Sequence, residues 1–422
     1  MNLVHRVKGG RRPHHGLVAG ALLTALGQGA YSAASVIYFT RVLGLSVGRL
    51  GLILSMAGAV GFLATVPLGM LVDRIGARRT AMGLQLAKAA LVLLLATAQS
   101  FWHLMVLVAL LGAATRGGQT AWQALVADVV GTEQRVRVQA LTRSAFNIGV
   151  SVGVLAVAPV IALTDRGPFV AVLVGVGLCY LTVSQVTARL PVPHQSVRGD
   201  LAERPARPGA AFVLLGFVTG FLGLHITILE VAIPLWVLKE TDVPKSAVSL
   251  LLFTNTALVV GLQVPLSRWS DSVRGATGVL AGSGAVVAAC CAVFASTQDR
   301  GGWTAIALLL TATALLTVGE IFQSAGSWGL SFELAPPGGR GGHLGAFSLG
   351  SALQDVAGPA LVTFVVIQHA PHGWWLLAAA LLASGALVAP LAGAAHRHLL
   401  AATAGTADRP AARTTLEGDK TV

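Results

Sequence analysis

Long apolar runs separated by short polar loops dominate this chain. Each run approaches the roughly 20 residues that a helix needs to cross about 30 Å of hydrocarbon. Most charged residues fall in the loops between the runs. The pattern therefore predicts an all-α integral membrane protein. Its twelve predicted transmembrane helices cover about residues 16–41, 49–71, 80–98, 101–127, 139–163, 168–189, 210–238, 246–269, 277–297, 303–330, 343–367 and 373–395.

The polar stretch after the second run returns in altered form in the second half of the chain. A Val-Pro-Leu triplet stands at the same spacing before Asp73 and before Asp271. Asp128 and Arg135 are likewise matched by Glu333 and Arg340 at equal separation. A parallel duplication with six helices in each copy predicts two pseudo-symmetric six-helix bundles around a central cavity.

The expected organisation has five parts. A proline-rich, charged segment at 190–209 can neither span the membrane nor form a regular helix, so we interpret it as a cytoplasmic linker. Bundles at 16–189 and 210–395 flank it, and short tails occupy 1–15 and 396–422.

Composition and charge agree with a membrane protein. At 422 residues, with 55% hydrophobic and 11% charged residues, the chain has too little polar surface for a soluble globule. Its net charge of +12 suggests nucleic acid, but most Lys and Arg lie in one alternating set of loops and tails. This sorting predicts a cell (inner) membrane protein with both termini in the cytoplasm, and no nucleic-acid partner.

Three acidic residues lie within predicted membrane helices, where a charge costs about 2.5–3.5 kcal/mol even on insertion-based scales. They are Glu230, Glu320 and Asp355. Glu320 lies on a polar helical face with threonines and serines on both sides. These acids, with His225, are the candidates for proton coupling. Static hydrogen bonds between helices are the alternative.

Other polar side chains inside the helices are candidates for lining the cavity. Arg116 and Glu320 occupy nearly matching positions in the two halves, so we expect them to face each other. A buried Arg cannot discharge and therefore needs an anion. The candidate cavity residues are Gln28, Tyr31, Arg116, Gln119, Gln123, Asn147, Gln323 and Ser324.

The loop after the second helix resembles the signature of the major facilitator superfamily, with Ala77 replacing a usual basic residue. The matching residues are Gly69, Asp73, Arg74, Gly76, Arg78 and Arg79. The resemblance to a twelve-helix, drug-efflux-like transporter covers nearly the whole chain. It implies that Asp73, Arg74 and Arg78 lock the cytoplasmic face when the cavity opens outward, with Asp128 as a partner in the first half. Arg135, Asp271, Glu333 and Arg340 complete the candidate gate. The alternative is ordinary loop charge without a gating role.

The expected function is secondary active transport by alternating access. We expect proton-coupled efflux, by antiport, of a small, moderately hydrophobic drug-like compound or secondary metabolite. An importer of a polar or anionic metabolite is the alternative that Arg116, Gln119 and Gln123 favour. A non-transporting membrane sensor is the alternative from another class. We expect a monomer in the lipid bilayer with a small-molecule substrate, protons, no cofactor, no metal and no enzymatic activity.

Overall fold

The computed structural model describes residues 13–98, 100–130, 134–161, 166–191, 208–270, 272–336 and 339–407. These residues are almost entirely helical and contain no β-strand. The helices of the first half are α1 (Pro13–Ile37), α2 (Val47–Ile75), α3 (Ala77–Leu95), α4 (Phe101–Val129), α5 (Arg135–Ile161) and α6 (Arg166–Ala188). Those of the second half are α7 (Ala210–Glu240), α8 (Ala247–Ser267), α9 (Val273–Ala295), α10 (Gly302–Glu333), α11 (Arg340–Ile367) and α12 (His372–Ala407).

Eleven helices in the described parts of the chain are long and apolar enough to cross a membrane. The twelfth, α3, carries Arg78, Arg79 and Lys88 within 19 residues. Its Lys88 is buried, with Nζ 4.3 Å from the centroid of the Tyr180 ring. Arg78 and Arg79 lie in the first turn of α3, and the residues after them are mostly apolar apart from the buried Lys88. The prediction of an all-α membrane fold is confirmed.

The duplication is visible in how the helices pack. In the first half α1 packs against α5 and α6, and α2 packs against α4. In the second half α7 packs against α11 and α12, and α8 packs against α10. Each half has its own apolar core. The two six-helix bundles therefore have the same internal arrangement, as the repeated sequence predicted.

Three helices depart from regular geometry. The helix α1 continues into a π-helical turn at Tyr38–Val42, and α11 ends in another at Thr363–Ile367. The helix α7 is interrupted after Leu222 and contains a π-helical turn at Ile228–Ala232. Such turns often mark functional sites, and the one in α7 carries Glu230.

The described ends of the chain differ slightly from the predicted boundaries. The helix α12 has 36 residues and continues to Ala407, although we expected a tail from residue 396. Most of the expected linker at 190–209 lies outside the described residues.

The two halves meet most closely at the face that carries the α2–α3 loop, here called the signature face. There α2 packs against α11, while α5 packs against α8. A Cβ atom built on Gly69 would lie 2.5 Å from the carbonyl oxygen of Gly341, so only glycine permits this approach of α2 to α11. A third apolar cluster spans both halves at this face, joining Val72 and Leu125 to Trp328 and other residues of α10 and α11. The signature face is closed.

Candidate functional site

Asp73 binds the first turn of α11 at the signature face. Its Oδ1 accepts a hydrogen bond from the Gly341 N–H and its Oδ2 from the Gly342 N–H, each at 2.6 Å. The first N–H groups of a helix have no partner within the helix and carry partial positive charge. Asp73 therefore joins the two halves through the end of a helix rather than through an arginine.

A second contact between the halves lies beside Asp73. Arg340 Nη1 is 3.3 Å from Asp128 Oδ1. Asp128, the expected partner in the first half, thus pairs with Arg340 of the second half, because α11 begins next to the end of α4, and it also lies within electrostatic range of Arg135. Arg135 instead donates from Nε to the carbonyl oxygens of Ala127 and Val130, at 3.1 and 3.3 Å.

The remaining signature residues shape the α2–α3 loop. Gly76 has a φ of 88°, in the left-handed region that glycine tolerates, and this permits the sharp turn between the two helices. Arg78 donates from Nη1 to the Leu190 carbonyl oxygen at 3.3 Å, near the end of α6. Arg74 and Arg79 are exposed. Two further candidates complete the set: Glu333 is half-buried at the end of α10, and Asp271 lies outside the described residues.

An ion pair between a half-buried arginine and a buried glutamate joins the halves deeper in the molecule. Arg143 Nη2 lies 3.4 Å from Glu320 Oε1, and the Glu320 side chain is 7% exposed. Asn255 donates from Nδ2 to Glu320 Oε2 at 3.1 Å and to Thr317 Oγ1 at 3.0 Å. Both oxygens of the carboxylate are thus held, as a buried charge requires.

Two titratable side chains of α7 lie near this pair. His225 is buried where α7 is interrupted, and its Nδ1 donates to the Leu222 carbonyl oxygen at 3.1 Å. The donor is assigned to Nδ1 because a carbonyl oxygen only accepts. Glu230 is exposed on the π-helical turn. Both residues lie within electrostatic range of Arg143 and Glu320.

The second central ion pair connects Arg116 of α4 with Asp355 of α11. The Asp355 side chain is 44% exposed although it contacts the opposite half, and the accessible region beside this pair is here called the opening. Arg116 Nη1 also donates to Gln119 Oε1 at 3.4 Å. The expected pairing of Arg116 with Glu320 is therefore wrong, because α11 lies opposite α4 and α5 lies opposite α10.

The other cavity candidates fall into two groups. Gln28, Gln123 and Asn147 are partly exposed in the first half, and Gln119 is exposed. Tyr31, Gln323 and Ser324 take part in packing. Tyr31 lies against the core of the first half, Gln323 donates to the Thr219 carbonyl oxygen at 3.0 Å, and Ser324 accepts from Gln263 at 3.3 Å.

Sequence reasoning missed several polar contacts between helices. Asn255 and Gln263 on α8 hold α10, and Gln354 on α11 donates to Thr227 Oγ1 at 2.9 Å. Their position within apolar runs was the available signal, since a polar side chain at membrane depth needs a partner.

Comparisons with known proteins agree with this geometry. The sequence model of the Major Facilitator Superfamily matches residues 17–359. The chain belongs to this superfamily, and it is a secondary transporter. It is 24% identical over 388 residues to the uncharacterized MFS-type transporter YdeE of Escherichia coli strain K12, covering 91% of this chain and 96% of that protein.

Solved structures show the same fold. The fucose:proton symporter FucP of E. coli superposes with a TM-score of 0.70 at 14% identity, over 90% of this chain and 98% of that one. A bacterial homologue of the iron transporter ferroportin, in an outward-facing state, superposes with a TM-score of 0.66 at 17% identity, over 92% and 100%. These structures confirm the fold, and the match over residues 17–359 confirms the resemblance to the superfamily.

Proposed function

We propose that this transporter exports a moderately hydrophobic small molecule in exchange for protons, with Glu320 carrying the proton. The observation that supports the proposal is the pair of the buried Glu320 with Arg143 across the two halves. A contact between the halves depends on their relative position, which is what alternating access changes.

The two members of the pair differ in how they respond to separation. The guanidinium of Arg143 stays charged in any environment of a protein. The carboxylate of Glu320 can be neutralised by a proton, and a buried carboxylate that loses its partner is destabilised until it is. Movement of the halves and protonation of Glu320 are therefore linked.

Asn255 fits either state of the carboxyl group. Its amide N–H groups donate to an ionised oxygen, and its amide oxygen accepts from a protonated carboxyl group after rotation of the side chain. His225 and Glu230 lie within electrostatic range and provide further proton sites toward the opening.

The signature face serves as the cytoplasmic gate in this proposal. The basic residues sorted to its loops and tails support that orientation. With Asp73 bound to α11 and the apolar cluster around Trp328 packed between the halves, the site is closed toward the cytoplasm. The described conformation is then the outward-facing one.

Efflux is favoured over import by the composition of the central helices. Two arginine–carboxylate pairs account for most of the charges there, and Ala, Leu, Gly and Val dominate the sequences of these helices. A site of this kind suits an amphiphilic solute better than a sugar or a polyanion. The exposed pair of Arg116 and Asp355 favours the second candidate, an importer of an anionic metabolite.

Flux measurements in proteoliposomes test the proposal. An imposed proton gradient is applied to a panel of lipophilic cations, antibiotics and organic anions. Glu320→Gln should abolish gradient-driven movement but retain exchange of substrate across the membrane. Glu240→Gln is the matched control. Glu240 is the last residue of α7, at the end of that helix away from the signature face, and it accepts a hydrogen bond from Gln298.

The outcomes separate the candidates. Full gradient coupling in Glu320→Gln, and also in Asp355→Asn and Glu230→Gln, would contradict a carboxylate proton carrier. Substrate that moves in the same direction as protons identifies an importer. A ligand-dependent conformational change without flux of any compound would favour the sensor.

A further inference from the structure

The charges between the two halves are separated by sign. Arg116 and Arg143 belong to the first half, whereas Glu320, Asp355 and Glu230 belong to the second. Among the described residues, each ion pair at membrane depth therefore crosses the interface. Lys88 is the other described cation at this depth, but it is buried inside the first half over Tyr180. One wall of the opening is cationic and the other is anionic.

The charged groups also share a level in the membrane. Arg116, Glu320 and Asp355 each lie about 20 Å from the signature-face end of their helix, at about 1.5 Å per residue. The long side chain of Arg143 reaches the same level to contact Glu320. A small molecule at the Arg116–Asp355 pair can therefore contact a cationic group of one half and an anionic group of the other.

We propose that the transported solute is a zwitterion, with an anionic group that binds Arg116 and an amine cation that binds Asp355. The inference rests on the proposed transport function and names its substrate class. The solute replaces the contacts between the halves instead of leaving charges without partners.

A singly charged solute satisfies the site less well. A cation would take a carboxylate from its arginine, and the arginine cannot discharge. An anion would take the arginine and leave a carboxylate that must then bind a proton. A zwitterion supplies both charges without adding net charge. It can bind both walls in any conformation in which the walls are no farther apart than its two charged groups can reach.

Three matched sets of compounds test this substrate class with the full-length protein in liposomes. The first set has the side chain of phenylalanine, the second that of tryptophan and the third that of leucine. Each set contains the free amino acid as zwitterion, its amide as cation and its N-acetyl derivative as anion. In at least one set the apparent affinity for the zwitterion should exceed that for either derivative about tenfold or more. This factor corresponds to the loss of one charge-assisted hydrogen bond.

Variants should remove one preference each. Asp355→Asn should abolish the advantage of the zwitterion over the N-acetyl anion, and Arg116→Gln its advantage over the amide. Asp299→Asn and Arg300→Gln are the matched controls, since both side chains are exposed in the α9–α10 loop. Both controls should keep the selectivity of the parent protein.

The inference is overturned if a singly charged derivative is exchanged as well as the zwitterion in every set, or if no zwitterion is exchanged. Gradient-driven flux of another compound, with the zwitterions ignored, would leave the transport function intact and refute the substrate class. Exchange of zwitterions without any effect of the proton gradient would support the substrate class and refute proton coupling.

Discussion

Removing the charge of Asp73 should open the signature face. The substitution Asp73→Asn keeps the size of the side chain but replaces an ionised acceptor that holds two N–H groups of α11. One amide oxygen remains to accept, and the amide nitrogen then faces a second donor. The closed state loses this contact, while in the open state water surrounds either side chain.

The size of the effect follows from the geometry. A carboxylate at a helix N-terminus contributes about 0.3–1 kcal/mol when exposed and up to about 2 kcal/mol when partly buried. Asp73 is at the surface, but both of its oxygens are bonded at 2.6 Å. We therefore expect about 1–2 kcal/mol, which changes the ratio of closed to open molecules about 5- to 30-fold.

Distances between spin labels at the signature face measure this ratio. Arg137→Cys on α5 and Arg397→Cys on α12 provide exposed sites in opposite halves, in a Cys179→Ala background. Asp73→Asn should increase the population at long distance, and Asp73→Glu should restore part of the closed population. Asp299→Asn, at the opposite face, is the control. An unchanged distance distribution in Asp73→Asn would refute the proposed latch.

Two further perturbations act on the same closed state. Gly341→Ala places a methyl group against the backbone of Gly69. It should populate the open signature face with Asp73 intact, whereas Gly83→Ala, which has open space around it, should not; equal label distances in both variants would contradict this reasoning. A double-mutant cycle of Asp128→Asn with Arg340→Gln, read from the same labels, should give a coupling of about 0.5–1 kcal/mol. Additive effects would show that this ion pair does not stabilise closure.

The helices and their duplication could be predicted because both depend on local pattern. Run length sets a membrane span, and the repeated acid and arginine positions set the register of the two halves. The irregular turns were not predictable. The π-helical turn that carries Glu230 depends on how α7 packs, and hydropathy alone does not show it.

The partners of the charged residues were predictable only in part. Arg143 and Asn147 are four residues apart in the sequence, which indicates that they share a polar face of α5, but this spacing does not show which acid lies opposite. Asp73 illustrates the same limit, since its partners are backbone N–H groups of glycines and leave no side-chain pattern. Contacts between the halves follow from docking two finished bundles, which neither bundle encodes alone.

The helix α11 connects the two levels at which the halves touch. Its first residues hold Asp73 and Asp128, and further along the same helix Asp355 pairs with Arg116. A turn at Ser348 divides α11 between these levels. A solute that displaces Arg116 from Asp355 would remove one contact between the inner segment of α11 and the first half, while the packing of this segment against α2 remains. In the proposed mechanism, binding between the halves and release of the signature face would therefore act on one helix, and α11 would link the substrate to the gate.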